Sequence, residues 1–186
     1  FPDVYSAVIS ILKVNGPMDL SKLKRLMDEN YPVSDSRLYQ ALDHAHVGRL
    51  SDGRVALLDQ GGLRRIEDEP DVHHDLVIEG SNATLVLRVT RNQMRGSGFQ
   101  VPRWLGWRLG LTATPESALL LNEYNEELKL TRRGGQIYAS SIRQLLLNHG
   151  IDTNCALEIR FKFDEKSFQL AHLCNNCQIP LNRTET

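Results

Sequence analysis

The sequence has only three cysteines in 186 residues. That count excludes a disulfide framework and points to a reducing, intracellular setting. Net charge is also nearly absent: 22 Lys+Arg against 23 Asp+Glu leave −1. The whole-chain charge therefore marks neither a nucleic-acid nor a membrane partner, and only its distribution can. No apolar run approaches the roughly 18 residues of a membrane helix. The first residues, Phe1-Pro2-Asp3-Val4, lack the basic head and apolar core of a signal peptide. They also lack an initiator Met, as expected of a processed chain or a piece of a longer one. The sequence contains no P-loop and no nucleophile elbow. Its nearest approach to a nuclease carboxylate set is Pro70-Asp71 with Glu158-Ile159-Arg160. Those residues divide between a linker and a strand, so no catalytic residue is assigned and no enzyme is expected.

What is present is ordinary globular composition, 41 % apolar and 24 % charged, at a length for one or two domains. Val4, Ala7, Val8, Ile11 and Leu12 recur at helical spacing up to Asn15-Gly16-Pro17. Leu20, Leu23, Leu26 and Met27 predict a second helix capped by Asp19 or Ser21, broken at Tyr31-Pro32. Ser34 or Asp35 opens a third with Leu38, Tyr39, Ala41, Leu42 and Ala45. Val47–Leu50 and Arg54–Leu58 flank Ser51-Asp52-Gly53, a hairpin signal. Three helices and a two-stranded wing resemble the winged helix-turn-helix over residues 1–60. That family usually reads DNA with its third helix in the major groove. Here the segment carries seven Lys/Arg and eight acids, and the third helix has only Arg37 as a cation. A helix that brings its own acids to phosphate is repelled. A docking or spacer role is the favoured reading, with Arg37 as the candidate DNA contact and a protein partner as the alternative.

Residues 61–75 read as a solvated acidic linker, with Glu67, Asp68, Glu69, Asp71 and Asp75 around Pro70. His73-His74 in it are read as solvated rather than metal-binding.

From residue 83 the pattern becomes strand, polar loop, strand, helix, three strands, helix, two strands. The strands are expected at 83–90, 99–102, 118–122, 127–131, 136–139, 156–163 and 168–173. The stretches VTRNQMRGSGFQVPRWLGWRLGL (89–111), LKLTRRGGQIYAS (128–140) and SIRQLLLNHGIDTNCALEIRF (141–161) resemble the B-three-type DNA-binding pseudobarrel of plant transcription factors and restriction-endonuclease effector domains. AbrB-like swapped-hairpin barrels share the strand-proline-helix opening. The two resemblances together imply an α+β chain, an N-terminal winged helix followed by a seven-stranded open β-barrel (pseudobarrel) with two short helices. The expected divisions are 1–60, a linker 61–75, a pseudobarrel 76–173 and a C-terminal tail 174–186. The resemblance also implies double-stranded DNA as partner, gripped in the major groove by two loops, 91–98 and 131–138. A transcription regulator or the target-recognition part of a restriction or defence system, reading a sequence or a modified base, would use such a fold.

The charges agree. Residues 88–110 hold Arg88, Arg91, Arg95, Arg103 and Arg108 and no acid, and residues 128–143 hold Lys129, Arg132, Arg133 and Arg143 and no acid. Such segregation is the footprint of a polyanion site. Arg91, Arg95, Arg132 and Arg133 suit phosphate or guanine, and Asn92, Gln93 and Gln136 suit adenine. Ser97 and Thr131 suit phosphate, and Gly96, Gly98, Gly134 and Gly135 would let backbone approach the DNA. Trp104 and Trp107 are expected in core and rim packing. His172, Cys174 and Cys177 form H-x-C-x-x-C, half of a zinc site. Cys155 could join only if the fold brings it near. Two unpaired thiols in a tail are the favoured reading, so no cofactor is expected.

Overall fold

The computed structural model describes residues 3–174. The chain forms two compact units. Among the described residues the first comprises 3–69, 112–116 and 132–136, the second 70–111, 117–131 and 137–174.

In the first unit, α1 (Val4–Asn15) starts at Asp3, whose Oδ1 accepts the Ser6 N–H at 2.6 Å. This satisfies one of the amides orphaned at a helix start. α2 (Leu20–Asn30) and α3 (Asp35–Leu42) follow, α3 capped by the Ser34 hydroxyl. The stripes Ala7/Val8/Ile11/Leu12, Leu23/Met27 and Leu38/Ala41 are buried together, which is the helix-face pattern read from the sequence. α3 is shorter than expected: Ala45 lies beyond it, and Tyr39 is 55 % exposed. β1 (Val47–Arg49) pairs antiparallel with β2 (Val55–Leu57) across the Asp52-Gly53 turn. Single bridges add Met18 beside Val55 and Leu63 beside Arg49.

Leu63 passes so close that a Cβ on Gly48 would stand 2.7 Å from its carbonyl carbon and oxygen. Backbone cannot move aside as a flexible side chain can. Gly48→Ala is therefore expected to cost about 1–3 kcal/mol, the usual range for overpacking, and to expose the Leu63 amide to faster hydrogen exchange. Wild-type exchange in that variant would refute the close approach.

An open sheet is made of β3 (Leu76–Glu79), β4 (Asn82–Arg88), β5 (Phe99–Val101), β6 (Ser117–Leu121), β7 (Glu127–Arg133), β8 (Gln136–Ala139), β9 (Ala156–Lys162) and β10 (Ser167–His172), all of it in the second unit but for residues 132, 133 and 136. Its order is β3-β4-β9-β10-β6-β7-β8-β5, antiparallel except for a parallel bridge of Ser167 with Leu121. The sheet has eight strands rather than the expected seven. The additional strand is β3, which pairs with β4 from Leu76 opposite Leu85 to Glu79 opposite Asn82. Its neighbouring acids had masked a short apolar run. Leu157, Ile159 and Phe161 are buried while Arg160 is exposed, the period-2 alternation of a half-buried strand. They pack with Leu85, Phe168, Leu105 and Leu146.

α5 (Arg103–Arg108) buries Trp104 and Leu105, while Trp107 is half-buried, in line with the core and rim expectation. α6 (Arg143–Asn148) buries Leu145 and Leu146. Between β7 and β8, Gly134 (φ 59°) and Gly135 (φ 80°) both lie in the left-handed region, as a type I′ hairpin turn requires. Among the described residues no helix is long and apolar enough to cross a membrane.

Candidate nucleic-acid interface

The first expected arm, 91–98, is not an open loop. It contains a helical turn, α4 (Arg91–Met94), closed by a capping box. Gln93 donates its N–H to the Thr90 hydroxyl at 3.2 Å, and its side-chain oxygen accepts the Thr90 N–H at 2.8 Å. Gln93 is consequently 6 % exposed, and its amide oxygen is engaged at the helix start. The signal was legible as Thr90-x-x-Gln93, the capping-box spacing. The chain then closes through Arg95 N–H to Arg91 C=O at 3.0 Å and Ser97 N–H to Asn92 C=O at 2.9 Å.

This leaves Arg91, Asn92, Arg95 and Ser97 exposed on one short turn. Among the described residues, neither the Arg91 nor the Arg95 side chain has a hydrogen-bond or ion-pair partner. Other cations of the stretch are committed: Arg88 donates to the Asn154 carbonyl at 2.7 Å, and Arg108 to Asp164 at 3.3 Å. The structure adds Arg143, whose Nε donates to the Met94 carbonyl at 3.1 Å. That bond sets a third exposed guanidinium beside the carbonyl end of α4, where a cation is favoured.

α6 carries Arg143 at its start and is tied down at its other end. Glu126 accepts from the Asn148 amide at 2.5 Å and lies 2.7 Å from His149 Nε2. Burial pushes the Glu126 carboxyl up, but bonds from Asn122, Asn148 and His149 outweigh it and hold it below the ordinary range.

Gly98 of this arm serves the protein's own packing. A Cβ on Gly98 would stand 2.6 Å from the Ala139 carbonyl oxygen. The freedom read as room for DNA is here room for β8.

The second expected arm divides. Thr131 is half-buried in β7 of the second unit. Arg132, Arg133 and Gln136 belong to the first unit. Arg132 is 8 % exposed and not at a surface tip. Its Nε and Nη2 donate to the two Asp43 oxygens at 2.9 Å each, and its Nη1 to Glu67 at 2.5 Å. Asp43 also accepts the Thr114 hydroxyl at 2.6 Å and the Gly135 N–H at 3.1 Å. Burial alone would raise the Asp43 carboxyl, but Arg132, Thr114 and Gly135 together hold it below its ordinary 3.8. These hydrogen bonds, with the two carboxylates, hold the Arg132 proton more firmly than usual. Arg133 is exposed and Gln136 half-buried. Glu67 and Arg64, placed in the solvated linker by composition, are both enlisted: Arg64 donates to the His44, Val47 and Thr112 carbonyls. Arg37 is exposed in the first turn of α3, and its neighbour Asp35 pairs with Lys24 at 2.6 Å.

Of the metal-ligand candidates, His172 and Cys174 come together with Cys155, their ligating atoms within 4.8 Å of one another. Cys177 and most of the tail lie outside the described residues. His73, His74 and Asp75 also cluster, fully at the surface, both imidazoles facing the one carboxylate.

No protein-family model and no curated protein matches the chain. Among solved structures it is similar to a hypothetical Arabidopsis thaliana protein, at 10 % identity and a TM-score of 0.37, over 54 % of this chain and 98 % of that one.

Proposed function

We propose that the chain is a non-enzymatic double-stranded DNA-binding protein whose second unit, a B-three-like pseudobarrel, contacts the duplex through the α4 turn and the start of α6. One observation carries this reading. Arg91 and Arg95 are exposed, without side-chain partners among the described residues, on a turn whose surrounding 23 residues (88–110) hold no acid. Two exposed like charges four residues apart on one turn repel each other, and a bound polyanion removes that repulsion. Arg143 extends the patch. In the major groove Asn92 has the donor–acceptor pair for adenine, and Ser97 can bond phosphate. Gln93 and Arg132 drop out as readers, because each side chain is buried and engaged.

The first unit, three helices and the β1–β2 hairpin with Met18 bridged to Val55, supports a winged-helix reading. In it Arg37 adds a second contact or a protein docks. A regulator or the target-recognition part of a restriction or defence system fits this pairing.

Binding to randomised duplexes, with and without cytosine modification, tests the proposal across salt. Three phosphate contacts at about 0.9 each predict a slope near −2.7 in log K against log salt. Arg91→Ala with Arg95→Ala should bring the slope to about −0.9 and cost roughly fifty-fold in affinity at 0.1 M salt. Unchanged binding in that variant, with loss in Arg37→Ala, would move the site to the first unit. Absence of binding at low salt would leave a protein-interaction adaptor as the account.

A further inference from the structure

We propose that Cys155, His172 and Cys174 form a zinc site at the open end of the β9–β10 ladder. The ladder brings them together. β9 and β10 run antiparallel with Leu157 opposite His172, and the Leu173 N–H continues the pairing to the Ala156 carbonyl at 3.0 Å. One further step sets Cys155 opposite Cys174. Side chains repeat every two residues along a strand, so His172 and Cys174 leave the same face. Their three ligating atoms lie within 4.8 Å of one another. A tetrahedral ion at ordinary Zn–S and Zn–N lengths needs them roughly 3.3–3.8 Å apart, a rotamer adjustment away.

Two further observations point to a ligand. His172 Nε2 is buried and has no hydrogen-bond partner among the described residues. A buried imidazole nitrogen left unpaired is unfavourable, and a metal is its natural partner. The Ala156 N–H donates to Cys174 Sγ at 2.8 Å. A donor on sulfur stabilises thiolate, the form that binds metal, and is the outer-sphere bond expected of a thiolate ligand. Two thiolates and an imidazole select a borderline-soft ion such as Zn²⁺ over Mg²⁺ or Ca²⁺. Binding releases the two thiol protons to solvent. Cys177 completes a C-x-x-C spacing with Cys174; it lies outside the described residues and is not needed for a three-ligand site.

The full chain, reduced with a non-chelating phosphine and loaded with Zn²⁺, should retain about one ion per chain after gel filtration. Co²⁺ in its place should give the intense visible bands of a tetrahedral site together with a thiolate charge-transfer band. Cys174→Ser and His172→Ala should each lose both spectra and metal, while circular dichroism stays that of the folded chain. Because Cys155 is fully buried, its variant can fail to fold, and the other two carry the test. Retention of no ion by the reduced wild type would overturn the site. So would equal retention by Cys174→Ser and His172→Ala, or a Cys155–Cys174 disulfide in freshly alkylated protein that binds no metal once reduced.

Discussion

Asp43→Ala is expected to destabilise the first unit by about 3–5 kcal/mol, the cost of removing one partner from a buried ion pair. The Asp43 side chain is 14 % and that of Arg132 10 % exposed, and the pair is bidentate. Removing the carboxylate takes away both of its bonds to the Arg132 guanidinium, which keeps Glu67. It also strands the Thr114 hydroxyl and the Gly135 N–H. An exposed pair would be worth at most about 1 kcal/mol, so the size of the effect decides between the two situations. Arg132→Met should cost less than Asp43→Ala, because Asp43 keeps Thr114, Gly135 and Arg64. The double variant should cost less than the sum. Both tryptophans belong to the second unit. The first is therefore followed by hydrogen exchange in α1 and α3 rather than by tryptophan fluorescence. A loss under about 1 kcal/mol would show that water reaches the pair.

The same cluster sets a direction with pH. Asp43 titrates below 3.8 in the folded chain, so its stabilisation is complete above that value and is lost as pH falls through the folded value. His44 acts in the same sense. Burial holds its imidazole below 6.5, where it stacks on Tyr5 at 3.9 Å between ring centroids. Folding therefore favours neutral His44, and that contribution also fades as pH drops below about 6.5. Acid unfolding of the first unit should come in two stages. Asp43→Asn should weaken the lower one, to which Asp3 and Asp52, also held below 3.8 by hydrogen bonds, contribute as well.

Phe168→Ala is expected to cost the second unit about 3–5 kcal/mol. Phe168 is fully buried on β10, directly opposite Phe161 on β9. Both side chains belong to the core that holds Leu85, Leu105 and Ile159. Deleting the ring loses its transfer energy and leaves a cavity that strands fixed by ladder bonds cannot collapse to fill. Phe168→Leu keeps most of the volume and should cost under about 1.5 kcal/mol. Trp104, buried and edge-on to Phe163 at 5.6 Å, reports the unfolding by fluorescence. Equal losses for Ala and Leu would mean that aromatic contact, not volume, dominates.

The local patterns were legible without any structure. The stripes of α1 and α2, the alternation of β9 and the Asp-Gly hairpin follow from spacings of two to four residues, and each lies in the element that its spacing predicts, whereas the third helix stops before Ala45. The Thr90–Gln93 capping box belongs to the same class, visible but not read. What only the tertiary structure decided depends on residues far apart in the chain. Arg132 reads as one more basic arm residue until Asp43, 89 positions away, claims it. β3 reads as no strand at all until β4 pairs with it. Cys155 and Cys174 are unrelated thiols until the β9–β10 register sets them opposite each other. Composition counts charges and thiols, but burial and strand register determine which of them neutralise each other, which meet, and which remain on the surface for a partner.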